Sequence, residues 1–310
     1  VPLAPLLDLS RNEFPLTTFI AYNLGWKLAS VLKGTATRDI LDTYESERRK
    51  IAQELIAFDH KLSRLFSGRP AKDVTDEAGI SMQEFKEYLE KGSLFAVGVT
   101  VDYGASFLIA KEGNAEDQGH VRGSKVVGKQ NLARNVKIGM RIPDYKVLNQ
   151  SDGRPWGFQQ LLESDGRWRI AVFAGNVSVA SQMERIRKLG HELAAENGFI
   201  KRLTPKGKGF DEVIEVLTIH AAPRVEVDLS DFPEVFHPYS ESEGWDYWKI
   251  YVDDVSYHEG HGKAYENYGI DPNRGCLVVL RPDQHVGWIG EIKDVEKMDQ
   301  YFSVFMASRA

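Results

Sequence analysis

Residues 168–198, WRIAVFAGNVSVASQMERIRKLGHELAAENG, run from a strand into a helix in one pass. WRIAVFA (168–174) is a short, nearly continuous apolar run, the pattern of a strand buried on both faces. Residues 175–180 read as a turn. Ser181 and Glu184 then stand three apart, the spacing of a capping box. Met183, Ile186, Leu189 and Leu193 recur at helical steps and line one face, and Asn197-Gly198 is a left-handed stop.

The neighbouring segments follow the same rhythm. Tyr145–Leu148 is a short strand upstream. VIEVLTIH (213–220) and DYWKIYVD (246–253) are strands downstream, rich in branched and aromatic residues. A short helix is predicted over 261–268. CLVVL (276–280) and HVGWIG (285–290) form a hairpin through Arg281-Pro282-Asp283-Gln284. A last helix covers 294–306, with Val295, Met298, Phe302 and Phe305 inward. Alternating helices and strands closed by a hairpin and a helix require one mixed sheet with helices on its faces. This is the thioredoxin-like plan, and the fold class is α/β.

Before residue 140 the reading changes. Residues 21–33 predict a helix with Leu24, Leu28, Val31 and Leu32 as its apolar stripe, stopped at Gly34. A longer helix is expected over 39–66, with Leu41, Tyr44, Ile51, Leu55, Phe58, Leu62 and Leu65 on one face. Glu47, Arg48, Arg49, Lys50 and Glu54 read as its solvated face, and Gly68 and Pro70 as its stop. A capping box at Ser81 and Glu84 predicts a third helix ending near Lys91-Gly92. LFAVGVTVDY (94–103) and SFLIA (106–110) read as strands, and 111–125 as an exposed polar loop. Residues 1–20 lack periodicity and are expected to be extended or disordered, as in an excised fragment, a processed chain or a faulty gene model. The expected domains are thus 21–144 and 145–310.

Composition excludes several classes of function. The 310 residues carry a formal charge of -6, which gives no electrostatic footprint for nucleic acid. No apolar run is long enough for a membrane span, and the opening residues lack the basic start of a signal peptide. The one cysteine, Cys276, sits in the apolar CLVVL and reads as a buried structural thiol. A chain without a possible internal disulfide fits a reducing compartment, and a cytoplasmic location is expected.

The chemistry-bearing residues are few. Disulfide exchange needs an activated thiolate at the start of the first sheet-domain helix. That place reads GNVSVASQ (175–182) and holds no sulfur, so the scaffold serves packing or subunit contact. His258, Glu259 and His261, near Asp253 and Asp254, are the best metal-like group, but their spacing also suits a polar loop entering a helix. His60 reads as a surface residue, His220 as an edge or core histidine, and Ser178 and Ser181 as turn and cap residues. Trp245, Tyr247, Trp248 and Tyr251 divide between core, interface and ligand roles. No glycine fingerprint for a dinucleotide is present. No catalytic residue and no metal ligand is assigned, and the cofactor-binding residues are unknown.

AYNLGWKLASVLKG (21–34), followed by ILDTYESER (40–48), resembles the class A flavoprotein monooxygenases. Ala21, Asn23, Leu24, Trp26, Lys27 and Leu28 match the tail of their second flavin motif. FDHKLSRLFSGRPAKD (58–73) and GMRIPDYKVLNQSDGRP (139–155) are similar to the fungal phenol 2-monooxygenase branch. The resemblance implies an FAD-dependent enzyme that uses NADPH and O2 to hydroxylate a phenolic small molecule ortho to its hydroxyl. It also implies a homodimer and a thioredoxin-like third domain over about 145–310. The glycine motifs of that family do not precede Ala21, Ile20 replaces an expected aspartate, and the catalytic residues around the phenol ring find no match. The chain is therefore expected to be a C-terminal portion, inactive alone and holding FAD weakly. The alternative is a non-enzymatic dimerisation or docking module.

Overall fold

In the computed structural model of the chain, residues 13–67, 82–96, 98, 100–112, 123–256 and 262–307 are described. Three helices lead: α1 (Glu13–Leu32), α2 (Asp42–Ser67) and α3 (Met82–Ala96). The sheet region then runs β1 (Lys146–Asn149), β2 (Pro155–Gly157), β3 (Trp168–Gly175), α4 (Ala180–Ala194), α5 (Phe199–Leu203) and β4 (Ile214–His220). It continues with a small hairpin, β5 (Tyr239–Ser240) and β6 (Gly244–Trp245), then β7 (Ile250–Val252), α6 (Ala264–Tyr268), β8 (Cys276–Leu280), β9 (Val286–Gly290) and α7 (Val295–Phe302).

Seven strands form one mixed sheet in the order β2-β1-β7-β4-β3-β8-β9. β3, β4 and β7 are mutually parallel, while β8 runs antiparallel beside β3 and β9 antiparallel beside β8. This is a thioredoxin-like α/β arrangement. Every residue of β3, β4, β8 and β9 is buried, which explains why these strands read as largely apolar, with Arg169, Glu215, Thr218 and His220 as buried exceptions. Trp168 anchors the core, meeting Phe302, Phe305 and Tyr301 on one side and Trp26 of α1 on the other, at ring distances of 4.9–6.2 Å.

Several sequence expectations need correction. Residues 94–103 and 106–110 do not form regular strands; 94–96 continue α3, and 106 and 109 share one isolated bridge. The backbone at residue 110, with that at 129 and 139 further on, serves a different purpose. Ala110 N–H donates to Gly287 O, Lys129 N–H to Ile289 O, and Gly139 N–H to Val286 O, at 2.8 Å each. The irregular segment thus covers the free edge of β9, which would otherwise expose a row of unpaired amides and carbonyls. Helix α3 passes through Gly92 because that glycine lies against the Phe58 ring of α2, where a side chain would collide. The Ser81 box, Gly68, Pro70 and most of the 111–125 loop lie outside the described residues.

Helix α1 starts at Glu13, so part of the segment expected to be extended or disordered is helical; residues 1–12 lie outside the described residues. Pro15 falls in the first turn, where its missing N–H has no helical partner to lose. The helix ends as expected at Gly34 (φ 67), with Gly34 N–H on Val31 O and Thr35 N–H on Ser30 O, a Schellman stop. Its buried face, however, is Asn23, Trp26, Lys27 and Ser30, whereas Leu32 is 86% exposed. At α4 the capping box is absent. Val179 occupies the cap position and Ser181 lies inside the first turn, because Asn176 already closes the turn by accepting from Ser178 N–H and Oγ–H.

Gly175 at the end of β3 has φ 80, and a Cβ there would lie 2.5 Å from Pro272 O and against Gln182 Oε1. Replacing Gly175 with Ala should lower stability by about 1–3 kcal/mol, read as a drop in Tm. An unchanged Tm would show that the β3–α4 turn is not held as tightly as its geometry requires.

Candidate functional site: a charge cluster between α1, α2 and the β8–β9 turn

The face of α1 that lacks leucines points at charges. Lys27 Nζ lies 2.8 Å from Glu47 Oε2 of α2, and Asn23 Nδ2 donates to the same oxygen at 2.8 Å. Arg281, the first residue after β8, reaches Glu47 through Nη1 (2.6 Å) and Nη2 (3.0 Å). The same guanidinium holds Asp283 through Nε (3.0 Å) and Nη2 (2.7 Å). Trp26 Nε1 donates to Asp283 Oδ2 at 3.2 Å. The turn that aims Arg281 is fixed by Gln284, a non-glycine residue at φ 66, whose N–H donates to Arg281 O, and by Tyr22 Oη donating to Pro282 O.

All four charged side chains are buried, and their formal charges cancel. The Arg281 guanidinium lies over the Trp26 ring at 5.2 Å and the Tyr103 ring at 5.1 Å, and Tyr103 stacks on His285 at 4.5 Å. Burial alone would raise the Glu47 carboxyl, but Arg281 and Lys27 outweigh it and hold it down at about 2. Burial draws the Lys27 ammonium down to about 8, because its one carboxylate is shared with Arg281. A lowered lysine is the usual mark of a general base. Here, however, the amine is buried and already committed to Glu47, so the cluster can orient helices but has no route to a reactant.

The sequence reading placed Glu47 on a solvated face; that was wrong. Thr43, Glu47 and Ile51, at steps of four, are the buried residues among the described side chains of α2. Lys27, Arg281 and Asp283 were not foreseen as partners. The available signal was an Arg-Pro-Asp turn between two unbroken apolar strands, together with a lysine beside a tryptophan in a helix.

The residues considered for chemistry are otherwise dispersed. Cys276 is buried in β8, and burial pushes its thiol well above the ordinary range. His220 is a core residue, with Nε2 2.9 Å from Gln150 Oε1, and burial draws it down to about 4, so it is neutral near pH 7. His60 is exposed on α2. His258, Glu259 and His261 lie outside the described residues, among which no group of three metal-ligating side chains occurs. At the turn after β3, Tyr265 Oη accepts from Gly175 N–H and donates to Ile219 O, which closes the place a redox thiol would use. Tyr251 is a core residue, while Trp245, Tyr247 and Trp248 face outward.

A flavin dinucleotide needs backbone amides free to approach its pyrophosphate. Gly139 and Gly175, both at positive φ, have their amides committed, to Val286 O at 2.8 Å and Tyr265 Oη at 2.8 Å. Gly25 is open, but it lies in mid-helix, where its amide is used. None of these three glycines offers a free amide to the phosphate end of FAD.

Residues 101–310 match the family model of the phenol hydroxylase C-terminal dimerisation domain, and residues 20–59 match that of an FAD binding domain. The FAD-dependent monooxygenase terD of Aspergillus terreus is 36% identical over 93% of this chain and 45% of its own length. The phenol 2-monooxygenase fsqG of Aspergillus fumigatus is 37% identical over 91% and 42%, respectively. The 3-hydroxybenzoate 4-monooxygenase of Comamonas testosteroni is 32% identical over 92% and 42%. The chain thus spans less than half the length of these relatives. The crystal structure of the flavin-dependent monooxygenase PieE with FAD and substrate is 14% identical, with a TM-score of 0.47 over 92% of this chain and 43% of that one.

Glu47→Gln should cost about 3–5 kcal/mol, because it leaves a buried excess of positive charge. Lys27→Met should cost less than half of that, since Arg281 still serves Glu47 at both oxygens. The stability drawn from the depressed Glu47 is present above about pH 4.5, its unfolded value, and is lost as pH falls toward about 2. The gap between the native chain and Glu47→Gln, read by denaturant melts, should therefore narrow across that interval; a constant gap would remove Glu47 from the cluster's energetics.

Proposed function

Because the chain belongs to the family of the phenol hydroxylase C-terminal dimerisation domain, we propose that it is the C-terminal part of an FAD-dependent aromatic monooxygenase. The whole enzyme would use NADPH and O2 to hydroxylate a phenol ortho to its hydroxyl. This part would supply two things: a face for homodimer contact, and helical backing that sets the flavin domain against that face. The observation that carries the reading is the bidentate Arg281–Glu47 bond, with Lys27 behind it. It ties the two helices of the FAD-binding fragment, within 20–59, to the sheet of the dimerisation domain.

The chain's own residues hold orientation here, not reacting atoms. Geometry transmitted from a supporting shell affects rate when a reacting centre lies nearby. FAD and NADPH belong to the proposed whole enzyme, and the committed amides of Gly139 and Gly175 support a reading in which the phosphate cradle lies in the rest of it.

A second reading, a docking module with no catalytic duty, is favoured by the missing thiol at 175–182 and by the outward-facing Trp245 and Trp248. Two measurements separate the readings. The chain mixed with FAD and freed of excess flavin should retain far less than one equivalent, read by visible absorbance; stoichiometric flavin would show that a cradle exists within it. The complete product of the gene should oxidise NADPH faster when a simple phenol is added and should release the catechol. A complete product that binds FAD and yet leaves a panel of phenols unchanged would favour the docking module.

A further inference from the structure

Residues 195–199, AENGF, join α4 to α5 and hold the chain's one Asn-Gly pair. The other nine asparagines each precede a residue with a side chain. The left-handed stop expected at Asn197-Gly198 is absent. Gly198 stands at φ -67 and ψ 157, and Gln284 is the one non-glycine residue at positive φ among the described residues. Glycine is required here for a different reason. A Cβ at 198 would lie 2.8 Å from Ala195 O and 3.3 Å from Glu192 O, so the backbone passes there only without a side chain. Asn197 itself is exposed, while Phe199 and Ile200 after it are buried.

An asparagine amide carbon is an electrophile within reach of the next residue's backbone nitrogen. A side chain on that next residue obstructs the approach, and glycine does not. The Gly198 N–H is held by Ala195 O at 2.8 Å, a bond that must be released before the nitrogen can lose its proton. Such a release is local. It breaks one turn hydrogen bond, while the elements on either side stay anchored in the core through Leu193 and Ile200. The same close approach that demands glycine at 198 therefore places a thermolabile pair on the surface.

We infer that Asn197 is a site of spontaneous amide loss, gated by opening of the α4–α5 turn, and that the sheet domain ages from this point. Hydroxide removes the Gly198 N–H proton. The nitrogen forms a bond to Asn197 Cγ, the Cγ–Nδ2 bond breaks, and ammonia leaves with a proton taken from water. A second water opens the resulting cyclic imide at either carbonyl, and nothing is oxidised or reduced. Opening at Cγ gives aspartate in the ordinary linkage. Opening at the main-chain carbonyl routes the backbone through Cβ and Cγ and adds one carbon to it, directly before Phe199. The Phe199 ring stacks on Phe302 of α7 at 5.6 Å, so the longer backbone must displace a buried aromatic or unwind α5.

The test holds the full chain and a peptide of residues 192–202 side by side in mildly alkaline buffer. Each asparagine is followed by fragment mass, which rises when NH2 is exchanged for OH. Asn197 should convert before any other asparagine of the described residues. Its rate should be about tenfold below the peptide's, the ratio that one ordinary hydrogen bond sets. A rate more than about a thousandfold below the peptide's, which only global unfolding would give, would overturn the inference. Earlier conversion at another described asparagine would do the same. The iso-linked product, separated by ion exchange, should melt several degrees below the native chain. Asn197→Asp, with the same added charge and an unaltered backbone, should melt close to the native chain. Equal melting of these two forms would overturn the consequence placed at Phe199.

Discussion

A buried guanidinium is tolerated only when its donors all find acceptors, and Arg281 meets that condition with two carboxylates from two parts of the chain. Removing two cations and two anions from water costs several kcal/mol per ion, which their mutual attraction only roughly offsets. What the cluster gives is direction. Helix α1 has leucines on its exposed side and Asn23, Trp26, Lys27 and Ser30 on its buried side. Apolar burial alone would have turned this helix the other way. Its rotation about its own axis is set by the need of Lys27 and Glu47 for each other, and of Glu47 for Arg281.

The thioredoxin-like sheet supplies the opposite lesson, a scaffold kept while its usual chemistry is gone. The turn after β3 holds asparagine, valine and serine where a thiolate would sit, and Tyr265 ties Gly175 to Ile219 beneath it. The two groups elsewhere in the sheet with intrinsic reactivity, Cys276 and His220, are both buried, one driven to remain a thiol and the other to remain neutral. None of them faces a reactant. The sheet's contribution lies in what it positions.

What was legible in the sequence followed burial on both faces. β8 and β9 are apolar from end to end, and β3 and β4 are mostly so despite Arg169, Glu215, Thr218 and His220, so their identity and the fold class could be read from pattern alone. The inward residues of α4 were equally clear, because Met183, Ile186, Leu189 and Leu193 meet an apolar sheet. Illegible were the places where polar groups are buried in pairs. Glu47 looks solvated beside Arg48, Arg49 and Lys50, and its partners stand 20 residues before it and 234 after it. Helical periodicity can locate a face, but it cannot show that the face is charged by design. Residues 101–110 failed for another reason. Branched and aromatic composition signals burial beside a sheet, and here the backbone covers an edge without joining the ladder as a regular strand.

The two charge systems share one end of the sheet. Arg169 is in register with Glu215 on one side and with Leu280 on the other, and Arg281 follows Leu280 directly. Arg169 Nε holds Glu215 at 2.8 Å, and Lys249 completes that row. Two separate groups of paired charges thus stand at this end of the sheet, one on Arg169, Glu215 and Lys249 and the other on Arg281, Glu47 and Asp283, with Leu280 between them. The silent redox turn lies at the other end of β3, about 20 Å away at strand spacing. In open α/β sheets the carboxyl ends of the strands ordinarily carry the function. Here the construction is concentrated at the amino end of β3 and β4, where the paired charges and the orientation of α1 rest on the same three hydrogen-bonded strands. Close-packed elements of this kind move together or not at all. Packing at this end of the sheet therefore braces the very helices that match the FAD-binding family, through Arg281 and Lys27 on Glu47.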